Sequence, residues 1–373
     1  MANDKDFEVN GPVVVGKDTK VTVGSISSSA INLATGNYFD DTLAANTTYT
    51  ISNAGAVQAF QLEVTGGAVG FDVSAGVYDS VSFSVASQET NPLGLVFNND
   101  GTKLYVVGSI SDTVYQYSLS TAFDLSTTSY DSVSFSVNSQ EATPTDIAFN
   151  NDGTKMYIVG ATSRSVHQYS LSTAFDLSTA SYDSVSFSFN SQDTSTYGIA
   201  FNNAGTKIYM VGNTTDSLYQ YSLSTAFDIS TTSYDSVSFS VASQDSTPRG
   251  VAFNTDGTKM ILVGITGDNV YQYSLSTAFD LSTASYDSVS FSIGQDTAPS
   301  DIVFNSDGTK MYILGATNDT IYQYSTSVDA TLTWPTSIEW AGGIAPAAPA
   351  NGETDIFTFT TDDTGTSYTG VKS

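Results

Sequence analysis

The heptapeptide YDSVSFS at residues 78–84 recurs with its tyrosine at Tyr130, Tyr182, Tyr234 and Tyr286, so that each copy begins 52 residues after the previous one. Downstream of every copy come a GTK turn and then a YQY or HQY triplet. Repeats of this length are typical of propellers and solenoids, in which each repeat is one supersecondary unit. This repeat decides the fold class.

Each repeat contains four runs that alternate in polarity and are rich in Val, Ile, Tyr and Phe, which predicts four half-buried strands. We label them a (GLVFNN in the first copy), b (KLYVVG), c (TVYQYSL) and d (YDSVSFSV). The NNDGT segment between a and b is a hairpin signal. STAFDLSTTS between c and d predicts a loop whose side chains bond their own backbone.

The copies are staggered along the chain. The series opens with strand d at residues 78–84 and stops after the fifth strand c, near Ser325. Pairing these two strands closes a ring and leaves no open sheet edge, whereas a solenoid would need atypical capping repeats. We therefore predict an all-β fold with a five-bladed β-propeller of four-stranded blades.

Ring closure brings the two ends of the propeller together, so the propeller can be inserted in another domain. The flanks VQAFQLEV (57–64) and ATLTWPTSIEW (330–340) read as strands that would pair in one hairpin. The predicted organisation is an N-terminal arm for attachment or oligomerisation at 1–25, a discontinuous β-sandwich-like domain at 26–70 and 326–373, and the propeller at 71–325.

Charge limits the possible partners. The 373 residues include 38 Asp and Glu against 11 Lys and Arg, for a net charge of −27. Such a surface repels phosphate backbones and anionic lipid, so we predict no nucleic-acid partner and no membrane insertion. The absence of cysteine excludes disulfides and thiolate metal sites.

The segments around the propeller carry a split pattern, WP…EW…GG…AP…GETD…FTF, after the framework ATGNYFDDTLAANTTYTISN. This pattern resembles a β domain of bacteriophage tail-fibre and appendage proteins. The NDGTKMYIVG repeats are similar to propellers of marine phage and bacterial surface proteins. The resemblance implies a virion structural protein that is assembled in the host cytoplasm and then released, with other virion proteins as partners and a homotrimeric state.

The positions at which the copies differ fall on one face of the propeller, formed by the d–a and b–c loops, which we call the top face. Loops tolerate change and also carry function, so drift and recognition both remain open. We predict ligand-binding residues here. Those at the start of strand a are Leu93, Thr145, Tyr197, Arg249 and Ser300. Those in the b–c loops are Asp112, Arg164, Asp216, Asp268 and Asp319.

Acidic residues also recur on this face, in a column of Glu89, Glu141, Asp193, Asp245 and Asp296. Carboxylate rings can hold Ca²⁺, but no D-x-D-x-D-G spacing occurs, so we interpret these acids as solvated turn caps. We predict no metal site and no cofactor, and leave Ca²⁺ open. The lysines of the a–b turns, such as Lys155, are expected to pair with turn aspartates such as Asp152.

Catalytic motifs are absent from the sequence. The single histidine, His167, replaces a repeated tyrosine on strand c, which predicts a packing position, and there is no G-x-S-x-G motif. We therefore predict no catalytic residue and no enzymatic activity. The interpretation is a virion protein that attaches to host surface polysaccharide or protein.

Two alternatives stay open. One is a capsid decoration or head-fibre protein with a structural role. The other is a propeller glycosidase or depolymerase that uses channel carboxylates such as Asp146 and Asp301. We rank this second alternative low because the acids of the top face repeat almost symmetrically, whereas catalysis needs unlike groups in chosen blades.

Overall fold

The computed structural model describes residues 26–27, 29–35, 37–43, 46–52, 59–361 and 367–372. The chain forms two compact units, Val69–Val328 on one side and Met1–Ala68 with Asp329–Ser373 on the other. The predicted arm at 1–25 lies outside the described residues. In the described part, no helix is long and apolar enough to cross a membrane.

The unit Val69–Val328 consists of four-stranded antiparallel sheets, the blades of a propeller. Strands a are Pro92–Phe97, Pro144–Phe149, Thr196–Phe201, Pro248–Phe253 and Pro299–Phe304. Strands b are Lys103–Gly108, Lys155–Gly160, Lys207–Gly212, Lys259–Gly264 and Lys310–Gly315. Strands c are Thr113–Leu119, Ser165–Leu171, Ser217–Leu223, Asn269–Leu275 and Thr320–Ser325. Strands d of blades 1 to 4 are Thr128–Ser136, Ala180–Ser188, Thr232–Ser240 and Ala284–Ser292.

The fifth blade closes the ring as predicted. Its strand d is Val77–Ser84, which pairs antiparallel with Thr320–Ser325, with Tyr78 opposite Tyr324. The chain therefore enters the propeller through the outermost strand of the blade that it completes last. The prediction of an all-β, five-bladed propeller with four-stranded blades is confirmed.

Short 3₁₀ helices directly precede the d strands. They are Val73–Ala75, Leu125–Thr127, Leu177–Thr179, Ile229–Thr231 and Leu281–Thr283. An aspartate caps each one; Asp124, for example, accepts a hydrogen bond of 3.0 Å from the Ser126 N–H. This is the side-chain-to-backbone bonding expected for a loop rich in Ser, Thr and Asp.

A repeated network of side-chain hydrogen bonds and ion pairs joins each blade to the next. In blade 2, Lys155 Nζ lies 2.6 Å from Asp183 Oδ2, and Gln168 Nε2 donates to the same oxygen over 2.9 Å. The other end of the glutamine accepts the backbone N–H of Ile229 in blade 3. Burial raises the pKa of Asp183, but these hydrogen bonds and the lysine charge outweigh it and hold the pKa below its ordinary value.

The predicted partners of the turn lysines were wrong. Asp152 accepts the N–H and hydroxyl of Thr154, whereas Lys155 reaches across the blade to Asp183 on strand d. Side chains of the other four turn lysines pair in the same way, with Asp131, Asp235, Asp287 and Asp79.

The second unit contains a five-stranded sheet. In spatial order its strands are Tyr38–Thr42, Ala59–Thr65, Thr354–Thr360, Tyr368–Lys372 and Ile338–Trp340. Shorter strands are Ile26–Ser27, Ala30–Asn32, Thr47–Thr48, Thr50–Ser52 and Leu332–Thr333, and Ala68–Val69 and Val328–Asp329 lie where the chain passes from one unit to the other. The predicted hairpin was wrong, because Ala59–Thr65 pairs with Tyr38–Thr42 and Thr354–Thr360. The sandwich-like character of this domain stays a prediction.

Candidate active site

Two carboxyl groups meet in the central channel of the propeller. The third residue of strand a is Asp146 in blade 2 and Asp301 in blade 5, and both residues are buried, with 4% and 3% of their surface exposed. The two carboxyls lie close enough together that each changes the pKa of the other. Because blade 1 separates these two blades in the ring, their side chains can meet only across the channel.

The other three blades carry glycine at this position, and two of these glycines make room for the carboxyls. A Cβ on Gly94 would lie 2.7 Å from Oδ1 of Asp146, and one on Gly250 would lie 2.3 Å from Oδ1 of Asp301. Both distances are shorter than real Cβ contacts. The layer Gly94, Asp146, Gly198, Gly250 and Asp301 is therefore filled by the two acids.

Backbone N–H groups orient each carboxyl. Asp146 accepts the N–H of Ile147 over 2.6 Å and that of Ile199, in blade 3, over 2.7 Å. Asp301 repeats this arrangement with Ile302, over 2.8 Å, and with Leu95 of blade 1, over 2.7 Å. These donors follow the acids along strand a, so both carboxyls lean toward the end of the channel formed by the a–b turns, which we call the bottom.

The pair holds a proton at neutral pH. Burial raises the pKa of Asp301 to about 7. Burial, together with the negative charge of Asp301, raises the pKa of Asp146 well above its ordinary value. Two carboxyls in contact cannot both ionise without strong repulsion, so they titrate as a unit. One can act as a general base while the other acts as a general acid.

A cavity of about 480 Å³ opens at the bottom of the channel. The next channel-facing layer of strand a, which includes Val96, Ala252 and Val303, lines its inner end. Aromatic side chains and the a–b turns form the rest of its wall. These lining residues are Phe71, Phe97, Phe123, Phe253, Phe304, Asn98, Asn99, Asn151, Asn203, Thr255, Asn305 and Ser306.

The first predicted set lies at the top end of the channel. Tyr197 and Arg249 stack, with Cζ of the arginine 3.4 Å from the ring centroid, and Nε and Nη1 of Arg249 are buried without a protein partner among the described residues. Thr145 and Ser300 are buried and donate to the backbone carbonyls of Thr196 and Pro92 in adjacent blades. Leu93 is part-buried. These side chains fill the top end, so the described cavity lies at the opposite end.

The second predicted set lies in the b–c loops, away from the channel. Asp112, Arg164, Asp216, Asp268 and Asp319 all have a left-handed backbone, with φ between 48° and 53°. Their carbonyl groups accept the N–H that follows strand d; the Val137 N–H, for example, bonds to Asp112 over 2.9 Å. The loop turn requires this position, and the structure does not bring it together with the carboxyl pair.

The acidic column of the top face is buried, so the interpretation as solvated caps was wrong about solvation. Glu141 is 1% exposed and accepts the N–H groups of Thr143, Thr162 and Ser163. The b–c turn is thus tied to the end of strand d. Within the ranges that the structure describes, no three acidic or histidine side chains are close enough to hold a metal ion.

His167 belongs to a cluster that sequence reasoning missed. Its ring packs against Tyr182, as a packing position predicts, but Nε2 also lies 2.9 Å from Oγ of Ser163, which donates to Glu141 over 2.5 Å. The N–H groups of Thr162 and Ser163 are already bonded to Glu141. This turn therefore has no free donor for an oxyanion, and the cluster lacks the geometry of a serine nucleophile.

A family model described as "Lactonase, 7-bladed beta-propeller" matches residues 7–283, more than half of the chain. The chain belongs to this lactonase family. It departs from the description in blade number, since its ring closes with five blades.

Solved structures similar to this lactonase-family chain are distant. A proposed 6-phosphogluconolactonase from Bacteroides uniformis ATCC 8492 is 14% identical, with 75% of this chain and 69% of that chain covered and a TM-score of 0.40. A second one, from Bacteroides fragilis NCTC 9343, is 15% identical, with 76% and 71% covered and a TM-score of 0.39. At these identities and TM-scores, the substrates of those proteins cannot be assigned to this chain. Among curated proteins, none matches the sequence significantly.

Membership of the lactonase family corrects several predictions. The resemblance to phage appendage proteins is wrong, and with it the virion location, the attachment function and the capsid alternative. The resemblance depended on short flanking patterns, whereas the family match spans most of the propeller. The prediction of no enzymatic activity is overturned as well.

The reasoning against catalysis had considered the wrong acids. The acids repeated in every blade are the turn caps, whereas Asp146 and Asp301 occur in only two blades, where the others have glycine. The sequence had named both residues as channel carboxylates of the glycosidase alternative, and a comparison of the third residue of strand a across the five copies shows that they are the unlike groups that catalysis needs.

Proposed function

We propose that the propeller hydrolyses lactones and that Asp146 and Asp301 are its acid–base pair. The observation that carries the proposal is the contact between these two buried carboxyls in the channel, in a layer where the other blades carry glycine. Membership of the lactonase family supports the reaction class.

The reaction adds water across the ring ester. The ionised carboxylate accepts a proton from water, and the resulting hydroxide attacks the carbonyl carbon of the lactone. The bond between that carbon and the ring oxygen then breaks, and the protonated carboxyl gives its proton to the leaving oxygen. The product is a hydroxy acid, and the pair again holds one proton. A pKa of about 7 suits this exchange, because acid and base are both available near neutral pH.

The bottom cavity is the proposed substrate site. Its volume of about 480 Å³ is in the range of small-molecule pockets. The carboxyls lean toward this end, and the cavity begins one channel layer below them. The stacked Tyr197 and Arg249 occupy the top end.

Replacement of either acid tests the proposal. Asp146→Asn and Asp301→Asn should each lower kcat by about 10²- to 10⁴-fold, the usual range for the loss of a general acid or base. Hydrolysis would be followed by alkali titration at constant pH with D-glucono-δ-lactone, δ-valerolactone and γ-butyrolactone. Asp112→Asn, in a b–c loop, is the matched control and should retain full activity. Wild-type protein that accelerates none of these reactions, or acid variants with wild-type rates, would overturn the proposal.

A further inference from the structure

A ring of side chains surrounds the mouth of the bottom cavity. The second residue of each a–b turn contributes one member: Asn99, Asn151, Asn203, Thr255 and Ser306, which we call the asparagine ring. All five are exposed and line the cavity. Their repeated position places them at similar depth around the channel.

Four of the five members donate a hydrogen bond to the backbone of the next blade. Nδ2 of Asn151 donates to the carbonyl of Asn203 over 2.7 Å, and Nδ2 of Asn203 donates to that of Thr255 over 2.5 Å. Asn99 donates to Asn151 in the same way. The Thr255 hydroxyl makes the equivalent bond, over 3.2 Å, to Ser306.

These bonds fix the orientation of the three amides. A backbone carbonyl can accept only from the NH₂ side of an amide, so Oδ1 must be the other atom. In the part of the chain that the structure describes, Oδ1 of Asn99, Asn151 and Asn203 accepts no hydrogen bond. The mouth therefore presents three oriented acceptors to hydroxyl donors.

The rest of the lining contains no charged side chain. Phe97, Phe253 and Phe304 give it flat apolar faces, and Val96, Ala252 and Val303 line its inner end. A ligand anion would find no cation in this lining and would approach a protein of net charge −27. Apolar faces at the inner end and acceptors at the mouth suit a ring with C–H faces and hydroxyl edges.

We infer that the asparagine ring selects neutral polyhydroxylated rings, so that the preferred substrates are uncharged sugar-like lactones. This inference rests on the proposed function only in taking the substrates to be lactones. The binding of hydroxylated rings does not depend on catalysis. The three asparagines are specificity residues, because they contact the ring substituents and not the ester.

The first test compares two lactones of equal ring size. D-glucono-δ-lactone carries hydroxyls and δ-valerolactone does not. We expect wild-type kcat/KM to favour the hydroxylated lactone by about 10-fold or more, since a site built for hydroxyls is left with unpaired acceptors by the analogue. The variant N151T/N203T should lower this ratio about 10-fold. Its fold is protected, because Thr255 already makes the same inter-blade bond.

The controls separate specificity from general damage. Asn138→Thr changes an exposed asparagine at the top of the propeller and should leave the ratio unchanged. Asn138→Thr should likewise leave the activity on each of the two lactones at the wild-type level. A wild-type enzyme that hydrolyses both lactones equally well would overturn the inference but not the proposed function.

A second test measures binding without catalysis. Saturation-transfer NMR should detect D-glucose, which has the hydroxylated ring but no ester, and should give a much weaker signal for D-glucuronate, which adds a negative charge. N151T/N203T should lose most of the D-glucose signal. If D-glucose binds in this way while no lactone is hydrolysed, the proposed function fails and the selection of hydroxylated rings stands. Absence of D-glucose binding, or equal binding of both sugars, would overturn the inference.

Discussion

At the scale of single residues, Asp301 and Asp146 couple the stability of the propeller to pH. In the folded protein the pKa of Asp301 is about 7 and the pKa of Asp146 is raised well above its ordinary value, whereas an aspartate in an unfolded chain has a pKa of about 3.9. Between these values the folded state binds more protons than the unfolded state. The free energy of unfolding must then fall as pH rises, by about 1.4 kcal/mol per pH unit for each extra proton.

Urea unfolding of the His167→Tyr variant between pH 5 and 7 should show this fall, and the further substitution Asp301→Asn should flatten it. The lysine-paired aspartates do not interfere, because their lowered pKa values affect stability only near pH 4 and below. Burial lowers the pKa of His167, so it changes stability below pH 6.5, with the opposite sign. His167→Tyr, which restores the repeat residue, removes this contribution. A His167→Tyr variant whose stability does not change with pH in this window would contradict the proton shared by Asp146 and Asp301.

Sequence comparison could identify the two aspartates but not their contact. Asp146 and Asp301 stand out where Gly94, Gly198 and Gly250 occupy the same repeat position. Their meeting depends on the closed diameter of the ring, which no single repeat encodes. The stacking of Tyr197 on Arg249, which fills the top end, is equally a property of adjacent blades.

At the scale of elements, strand d contains a feature that its polarity pattern does not predict. Its alternation predicted a regular strand, but the register shifts between Gln116 and Tyr117, so that Asp131 and Ser132 form a bulge opposite strand c. Ser132 has φ 59°. The bulge turns Asp131 toward Lys103, which explains why a search along the turn gave the wrong ion-pair partner. The four strands themselves were predictable because their polarity alternates.

Hydroxyl-to-carbonyl bonds between blades should contribute measurably to stability. Buried Tyr209 donates to the carbonyl of Phe279 over 2.6 Å, and blade 4 carries Ile261 at this position. Tyr209→Phe should lower the free energy of unfolding by about 1 kcal/mol, because it leaves a part-buried carbonyl without its donor. Tyr115→Phe is the control: no hydrogen bond from that hydroxyl occurs among the described residues, so urea unfolding should hardly change. Equal effects of the two substitutions would contradict the argument.

At the scale of the whole molecule, the seam of the ring can be tested against an internal blade. Asp79, on the first strand of the propeller, bonds to Lys310, Gln323 and Ser325, residues more than 230 positions away. Asp183 makes the same set of contacts within blade 2. The aspartate therefore has the same lysine, glutamine and serine partners at both sites, across the seam for Asp79 and within a continuous stretch of chain for Asp183.

Asp79→Ala and Asp183→Ala should each lower the free energy of unfolding by about 1–3 kcal/mol, because both leave a part-buried lysine and a buried glutamine without their acceptor. Urea unfolding of the full chain measures both, and Asp152→Ala, at an exposed turn, gives the background. The pairing of the first strand d with the fifth strand c is predicted from the stagger of the copies alone. The two alanine variants test that pairing in solution. An Asp79→Ala variant as stable as the wild type, beside a destabilised Asp183→Ala, would mean that the first strand does not complete the fifth blade.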